Sequence, residues 1–357
     1  MIRVYINGVD RTDRLLRFQV RRGRASEMLD IQPGQAVLEM ENRDRLFDPS
    51  VSAAVRVGSS VRIAVVSGSV EEPIFVGFVE QIALRRSDFG RMIAEITALD
   101  ALSRLSVAMV SLSRPAERTD QRIAAILDAV DPSLPRSLST GRSVMVAESV
   151  SGDALSACRQ AAWTEGIGMF LARRDGYVEF LDRHALFRPP LRDPVWTIPS
   201  GLLRGVEVRY DIGNVRNLIR VDYSGGSVSA QDTGSISAYG RRAMRLDLRI
   251  SNAHEAQSAA QWWLSIFKDV QPRVEDVEID VRTLADPLAA ARLEIGRRIQ
   301  LSPPGFGPSS LRATIERLEW RWEGARLFVR IGLGAGWPER FWVWGYSQAG
   351  VDTIFAY

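Results

Sequence analysis

The chain has 357 residues, of which 46% are hydrophobic and 25% are charged. This length predicts roughly two to three domains, and the apolar fraction excludes a chain that is disordered throughout. The 46 basic and 43 acidic side chains leave a net charge of +3, which is too near zero to indicate a nucleic-acid-binding protein.

The basic residues are all arginine except Lys268. Arginine pairs recur, for example Arg21-Arg22 and Arg297-Arg298, and most of these pairs fall in apparent strands, where neighbouring side chains point to opposite faces, so we do not expect one basic stripe. Cys158 is the only cysteine, which excludes an internal disulfide and a cysteine-based zinc site. Its place on the apolar side of a predicted helix favours a buried structural thiol over a reactive one.

Residues 1–110 predict a first β domain. The turn dipeptide Asn7-Gly8 follows the first strand, and further strands are expected at 36–40, 61–66, 74–84 and 92–98. A Ser/Gly/Glu/Pro loop is expected between the strands at 61–66 and 74–84. Short strands at this spacing favour a barrel or sandwich over a βαβ sheet. The amino terminus lacks an apolar signal core, and no stretch approaches the roughly 18 to 20 apolar residues of a membrane span. We therefore expect neither a secretory signal nor a membrane-spanning segment.

Residues 111–200 predict an inserted α+β domain. A helix capped by Thr119 or Asp120 runs to Val130, and a second is expected at 153–164 with Gly166 as its stop. The Asp175-Gly176 dipeptide between two β runs indicates a hairpin.

Residues 201–335 predict a second β domain. Strands are expected at 203–210, 218–223, 274–281, 299–301, 311–322 and 325–333, with a helix at 253–268 capped by Asn252. The Gly/Ser-rich segment 224–237 is expected to be a flexible or partner-contacting loop. The fold class is therefore α+β, mainly β.

An internal repeat relates the two β regions. Gly58 matches Gly296 (296 − 58 = 238), and Gly90 matches Gly324 (324 − 90 = 234), so the spacing drifts by only four residues. Between them, Phe78–Ile82 compares with Thr314–Leu318. Two explanations remain open: duplication of one β module, or chance similarity between antiparallel β sequences.

Motifs for catalysis are scarce. His184 and His254 are the two histidines, and no His-Glu-x-x-His spacing, phosphate loop or nucleophile elbow is present. The acidic run Glu275, Asp276, Glu278 and Asp280 lies in an alternating strand pattern, which favours a solvated face over a metal site. We therefore expect no enzymatic activity, no cofactor and no metal.

The carboxyl-terminal segment 336–357 is rich in aromatic residues. Two explanations remain open: a tail folded back over its own domain, or an anchor for a neighbouring subunit, since aromatic residues dominate buried interface cores. We favour the anchor slightly, and truncation after Gly336 is then expected to weaken assembly more than monomer folding. The candidate contact residues are Trp337, Phe341, Trp342, Trp344, Tyr346, Phe355 and Tyr357.

The order of several motifs resembles phage tail-tip and baseplate-hub proteins, a family of minor tail proteins. Residues 32–49 (QPGQAVLEMENRDRLFDP) resemble the family's amino-terminal signature, in which a strand ends in an Asn-Arg-Asp turn before Phe-x-Pro. Val57-Gly58 and the run 75–79 (FVGFV) match the segments that follow. The helix and hairpin at 153–182 and the later run 239–242 (YGRR) also match.

The resemblance implies two similar tube-forming antiparallel β-barrel domains with a small α+β domain inserted between them. It also implies a homotrimer whose six barrels form a pseudo-hexameric ring, which joins a sixfold tail tube to a threefold tip at the distal end of a virion tail. DNA would pass through the ring during ejection, and weak contacts suit such a channel. The implied partners are tail-tube and distal tail proteins, tip, spike or fibre proteins, and the tape measure protein. The short tail departs from family members with long receptor-binding or wall-cutting domains, so other chains are expected to supply those functions.

Two alternative functions remain. A receptor- or glycan-binding tip module would use the tryptophan-rich tail, and substitution of Trp342 and Trp344 would abolish glycan binding. A tail-associated cell-wall hydrolase would need convergent acids or a nucleophile in a pocket.

Overall fold

The computed structural model of the chain describes residues 1–86, 90–203, 206–303, 305 and 310–334, with the backbone of 341–342 and 354–355. Strands predominate and helices are concentrated in the middle of the chain, which confirms the predicted mainly β, α+β class. No helix of the described part of the chain has the length and apolar character needed to cross a membrane.

The first module, residues 1–99, consists of strands joined by turns, by the single-turn 3-10 helix Thr12–Arg14 and by the longer irregular segment 42–59. Asn7 and Gly8 both have positive φ (53° and 75°), as expected for the predicted hairpin turn. The strand predicted at 74–84 begins earlier, at Val70, because only a two-residue turn separates it from the strand that ends at Ser67. The strands are β1 (Ile2–Ile6), β2 (Val9–Asp10), β3 (Leu15–Gly23), β4 (Gln32–Glu41), β5 (Ser60–Ser67), β6 (Val70–Arg86) and β7 (Met92–Leu99).

The inserted α+β unit follows helix α1 (Ala101–Val107), whose N-cap is Asp100. Its elements are β8 (Met109–Arg114), β9 (Glu117–Arg118), α2 (Thr119–Val130), β10 (Arg136–Leu138), β11 (Val144–Met145), β12 (Glu148–Asp153), α3 (Ala154–Thr164), β13 (Met169–Ala172), β14 (Val178–Leu181) and β15 (Trp196–Ile198). The predicted cap of α2 is wrong: Arg118 takes that position, and Thr119 instead donates its hydroxyl to Glu165 at 2.5 Å.

The last β region contains a second module and a small packing layer. The second module consists of β16 (Val208–Tyr210), β20 (Pro272–Val274), β21 (Asp276–Asp280), β22 (Arg298–Leu301), β23 (Leu311–Glu323) and β24 (Arg326–Leu333). The packing layer consists of β17 (Leu218–Tyr223), β18 (Gly226–Gln231), α4 (Thr233–Tyr239), β19 (Ala243–Asp247) and α5 (Ala253–Phe267), and α6 (Pro287–Ala291) precedes β22. Backbone pairing also joins β25 (Phe341–Trp342) to β26 (Ile354–Phe355).

Two expectations for this region are wrong. The Gly/Ser-rich segment is not a loop, because β18 pairs with β17 over six residues and Asp232 caps α4 by accepting from the Ser235 N–H at 2.9 Å. The strand expected from residue 203 begins at Val208 instead. The Asn252 cap of α5 is present, with its side-chain oxygen accepting from the His254 and Glu255 N–H groups.

The repeated sequence corresponds to a repeated strand arrangement. The antiparallel order β4-β7-β6-β5 recurs as β21-β24-β23-β22. A bulge interrupts β6 between Val79 and Gln81, and another interrupts β23 between Ile315 and Arg317. The bulged residues are therefore Glu80 and Glu316, which are the residues that the sequence repeat aligns.

Backbone hydrogen bonds repeat at the same place. The Gly58 N–H donates to the Val79 carbonyl at 2.7 Å, and the Gly296 N–H donates to the Ile315 carbonyl at 2.8 Å. Both glycines have positive φ, 86° and 77°. Matching bulges, turns and hydrogen bonds favour duplication over chance similarity.

The two modules join edge to edge in one sheet. Residues 317–323 of β23 pair antiparallel with residues 17–23 of β3, so the modules lie side by side within one chain. This contact, which we call the cis junction, makes a continuous path β21-β24-β23-β3-β4-β7-β6.

Candidate functional surface and module junction

The continuous sheet has one apolar and one charged face. Side chains alternate between the faces of each strand, and the apolar set is buried: Val20, Leu38, Met40, Ile96, Ala98, Val277, Ile279, Leu318, Trp320, Val329 and Ile331. The opposite set, which we call the charged sheet face, crosses both modules without interruption at the cis junction.

The charged sheet face carries nearly balanced charge. Its basic side chains are Arg17, Arg21, Arg85, Arg317, Arg321, Arg326 and Arg330. Its acidic side chains are Glu39, Glu41, Glu95, Asp276, Glu278, Asp280, Glu319 and Glu323. Seven arginines against eight carboxylates leave no concentrated positive potential for a polyanion.

Many of these charges pair across neighbouring strands. Glu39 accepts from Arg17 at 2.5 Å and also from Arg85, while Asp276 accepts from Arg330 at 2.7 Å. Arg17 and Arg330 remain about half exposed (54% and 47%), so these pairs stabilise the fold only weakly. Their main effect is to neutralise the surface locally.

Three members of the acidic run, Asp276, Glu278 and Asp280, are part of this face. Asp276 faces Arg330, and Glu278 lies 3.9 Å from Arg321, so the predicted solvated strand face is what the structure shows. Within the described ranges, no group of three or more His, Cys, Asp or Glu side chains is placed to hold a metal ion.

The cis junction contains two buried ion pairs. The Arg22 guanidinium donates to Glu294 at 2.5 Å and to the Ala172 carbonyl at 2.7 Å, which ties the first module to the inserted unit and to the segment between α6 and β22. Arg24 donates to Glu316 at 2.5 Å. Burial raises the pKa of Glu316, and the neighbouring Arg24 opposes that rise.

Close backbone approach at the cis junction requires Gly23. Its φ is +104°, and a Cβ there would lie 2.1 Å from the Glu316 carbonyl oxygen. The Arg24 N–H donates to that same carbonyl at 2.8 Å. Glycine therefore permits the turn that aligns β3 with β23.

The motifs that resemble those of tail-tip and baseplate-hub proteins have structural roles in this fold. In the Asn-Arg-Asp turn, the Asn42 side chain accepts from the Phe47 N–H at 2.9 Å, and Phe47 is fully buried. Arg45 has a φ of +58°. At Gly77 a Cβ would lie 2.3 Å from the Leu99 carbonyl oxygen, so the Phe-x-Gly-x-Val segment needs glycine for strand packing.

Asp100 is a buried carboxyl behind the sheet. It accepts from the Gly34 N–H at 2.6 Å and from the Leu102 N–H at 3.0 Å. Burial raises the pKa of Asp100 from 3.8 to about 7, because desolvation outweighs these donors and the nearby Arg22. The folded state therefore binds a proton that the unfolded state releases between these two pH values.

We expect this proton to make stability fall as pH rises from about 4 to about 7, and then to level off. In Asp100→Asn the contribution is absent, so the difference in unfolding free energy between wild type and variant should shrink by a few kcal/mol over that window, at about 1.4 kcal/mol per pKa unit. Urea unfolding at pH 4, 5.5, 7 and 8 measures it. Parallel stability curves for the two proteins would contradict the assignment.

The other singled-out side chains do not converge on a reactive centre. Cys158 is buried, as expected, and burial raises the pKa of its thiol. His254 is exposed in the first turn of α5, and His184 directly precedes the single-turn helix Ala185–Phe187. The absence of enzymatic activity stays a prediction.

The aromatic tail residues lie outside the described residues. For Phe341, Trp342 and Phe355 only the backbone is described, in the β25–β26 pair, and the other four candidates are not described. Their role as subunit contacts stays a prediction.

Sequence reasoning missed β3 and both buried ion pairs. The available signal was the Arg21-Arg22 pair: Arg21 is exposed and Arg22 is 4% exposed, as opposite faces of one strand require. The partner Glu294 is 272 residues away, so no local pattern identifies it.

Solved structures with the same fold include two tail proteins. A tail protein from Neisseria meningitidis MC58 matches with a TM-score of 0.67 at 10% identity, covering 93% of this chain and 95% of that one. The 43 kDa tail protein of prophage MuSo2 from Shewanella oneidensis gives 0.62 at 11% identity, with 94% and 96% covered. No protein-family model and no curated protein matches the sequence.

A third similar structure comes from a secretion system. The Escherichia coli c3393 protein is described as a component of the type VI secretion system with structural similarity to the T4 bacteriophage tail proteins gp27 and gp5. It matches with a TM-score of 0.57 at 11% identity, covering 98% of this chain and 80% of that one. Sequence identities this low show a shared fold. At the level of the fold, these structures confirm the resemblance that was predicted from the motifs.

Proposed function

We propose, on the premise that the chain shares the fold of phage tail proteins, that it is a structural hub at the distal end of a phage tail or tail-like particle. In this proposal three copies form a ring in which the two modules of each chain occupy six similar positions. The carrying observation is the cis junction, which places two related modules side by side in one continuous sheet. A sixfold tube on one side and a threefold tip on the other could both bind such a ring.

The charged sheet face is proposed to line the central channel. Its arginines are offset by carboxylates on neighbouring strands, so a passing duplex meets no continuous stripe of unpaired positive charge. Non-specific affinity for DNA comes almost entirely from phosphate neutralisation and counterion release. A balanced lining therefore suits the passage of DNA better than its retention.

The domain division remains part of the proposal. Residues 1–110 and 201–335 are the two tube-like domains, 111–200 is the inserted domain, and 336–357 is the aromatic tail that contacts a neighbouring subunit. Tail-tube proteins, a tip, spike or fibre protein and the tape measure protein are the proposed partners. The proposed location is the tail tip or baseplate of the virion.

Sedimentation velocity over a wide concentration range tests the assembly. We expect a species of three times the chain mass of 39.7 kDa, with no measurable binding to duplex DNA at physiological salt. A strictly monomeric chain would contradict the ring, and tight, salt-sensitive DNA binding would contradict the channel lining.

A further inference from the structure

The cis junction joins the β23 edge of the second module to the β3 edge of the first. Each module also has an edge that corresponds to the joined edge of the other module, which predicts a second junction. At the cis junction the outer edge of β23 meets β3, and this contact buries Leu318 and Trp320 to 0% and 1% exposure. The corresponding strand of the first module is β6, aligned through the bulges at Glu80 and Glu316.

The outer edge of β6 is open beyond its bulge. Residues 81–86 pair with β7 on one side, while the β5 pairing ends at Phe78, and no other described strand continues along that edge. Ile82 and Leu84 occupy the places of Leu318 and Trp320, yet Ile82 is only half-buried and Leu84 is 40% exposed. The difference is the missing neighbour strand.

The second module has an open counterpart of β3. Val208–Tyr210 (β16) pairs with β20 as β3 pairs with β4, and among the described residues its other edge has no strand partner. In the second module the pairings run from β16 to β20, which continues into β21, and from β21 to β24; in the first module they run from β3 to β4 and from β4 to β7. Comparing the two series aligns Glu207 with Val20 and Arg209 with Arg22. Tyr210 is 63% exposed.

We infer that residues 82–85 of one copy pair antiparallel with residues 206–209 of the next copy, in the register of the cis junction, and that Tyr210, at the place of Gly23, lies beyond the pairing. Ile82 then lies opposite Arg209, Ala83 opposite Val208 and Leu84 opposite Glu207. Each copy has one edge of each kind, so the contact is heterologous and forms a closed ring or an open filament. It also removes two edges that otherwise invite uncontrolled pairing.

This trans junction lacks one feature of the cis junction. Glu80 and Asp211 take the places of Glu316 and Arg24, so two carboxylates replace one of the two buried ion pairs. We therefore expect the trans junction to be weaker than the cis junction. Replacing Asp211 with arginine should restore the missing pair and strengthen assembly.

Single-cysteine mixing tests the pairing directly. Ala83→Cys chains mixed with Val208→Cys chains under mild oxidation should give a disulfide-linked pair, because directly opposite residues have Cβ atoms about 4.5–5.5 Å apart. Cys158 is buried and should not compete. Either variant alone should remain uncrosslinked.

Substitutions at Leu84 and Asp211 should change the strength of assembly in opposite directions, and a substitution at Val70 is the control. Leu84→Glu, which sets a second carboxylate directly opposite Glu207, should raise the dissociation constant of assembly at least tenfold, whereas Val70→Glu, at the β5-paired end of the same strand, should not change it. Val70 is a matched control because it is 45% exposed. Asp211→Arg should lower the dissociation constant, and circular dichroism should show unchanged folding in all three variants.

The outcomes separate this inference, which rests on the proposed function for closure of the ring, from that function itself. A trimer without the 83–208 cross-link, or one unaffected by Leu84→Glu, overturns the trans junction and leaves the hub proposal standing. A cross-linked but open-ended filament supports the junction and contradicts the threefold ring. A monomer at every concentration overturns both.

Discussion

Gly23→Ala should unfold the chain or leave it insoluble, because the new Cβ collides with backbone that cannot move independently. It would lie 2.1 Å from the Glu316 carbonyl oxygen and 2.9 Å from the Arg317 Cα. Such overlap displaces β23 from β3, and the positive φ of +104° adds the usual cost of an L-residue in that region. We expect a loss above about 4 kcal/mol, which is exceptional for one methyl group.

Gly58→Ala is the matched control. Gly58 also has a positive φ, but a Cβ there meets nothing within 4 Å. Only the backbone cost of about 1–2 kcal/mol should remain. Thermal and urea unfolding of both variants measure the difference, and equal losses would show that the close approach at Gly23 does not matter.

Arg22→Ala should cost about 3–5 kcal/mol, because it leaves the Glu294 carboxylate buried without its partner. Arg22 and Glu294 are 3% and 7% exposed at their side chains, so water cannot replace the interaction. The first module, the inserted unit and the second module all contact this guanidinium or its partner. We therefore expect the whole chain to lose stability in one transition.

Arg21→Ala provides the control one residue away on the opposite, exposed face, where a change within about 0.5 kcal/mol is expected. The double variant Arg22→Met with Glu294→Gln should recover part of the loss, since both charges are then removed together. Chemical unfolding of the four proteins measures the coupling. If Arg22→Ala were as stable as Arg21→Ala, the buried pair would not hold the modules together.

Local patterns predicted much of the fold. The alternation in β4 and β7, the Asn-Gly turn and the Asn252 cap depend on neighbouring residues, and each is present in the structure. The repeat was also readable, because its glycines and the segment around Glu80 and Glu316 keep their order.

Long-range partners account for what the sequence did not reveal. β3 contains three arginines among nine residues, so its alternation is obscured, and one of them, Arg22, is buried only because Glu294 reaches it. The Gly/Ser-rich segment 224–237 resembles a loop in composition, yet β17 supplies the hydrogen bonds that make residues 226–231 a strand. The charged sheet face is likewise a product of strand order, since it combines residues from opposite ends of the chain.

Electron cryo-microscopy of the purified, assembled chain tests the central claim most directly. The account predicts a closed ring of three copies with six similar modules, a central channel lined by the charged sheet face, and β6 of each copy paired with β16 of the next. A ring of any other copy number, or one with the charged sheet face on its outer surface, would contradict it.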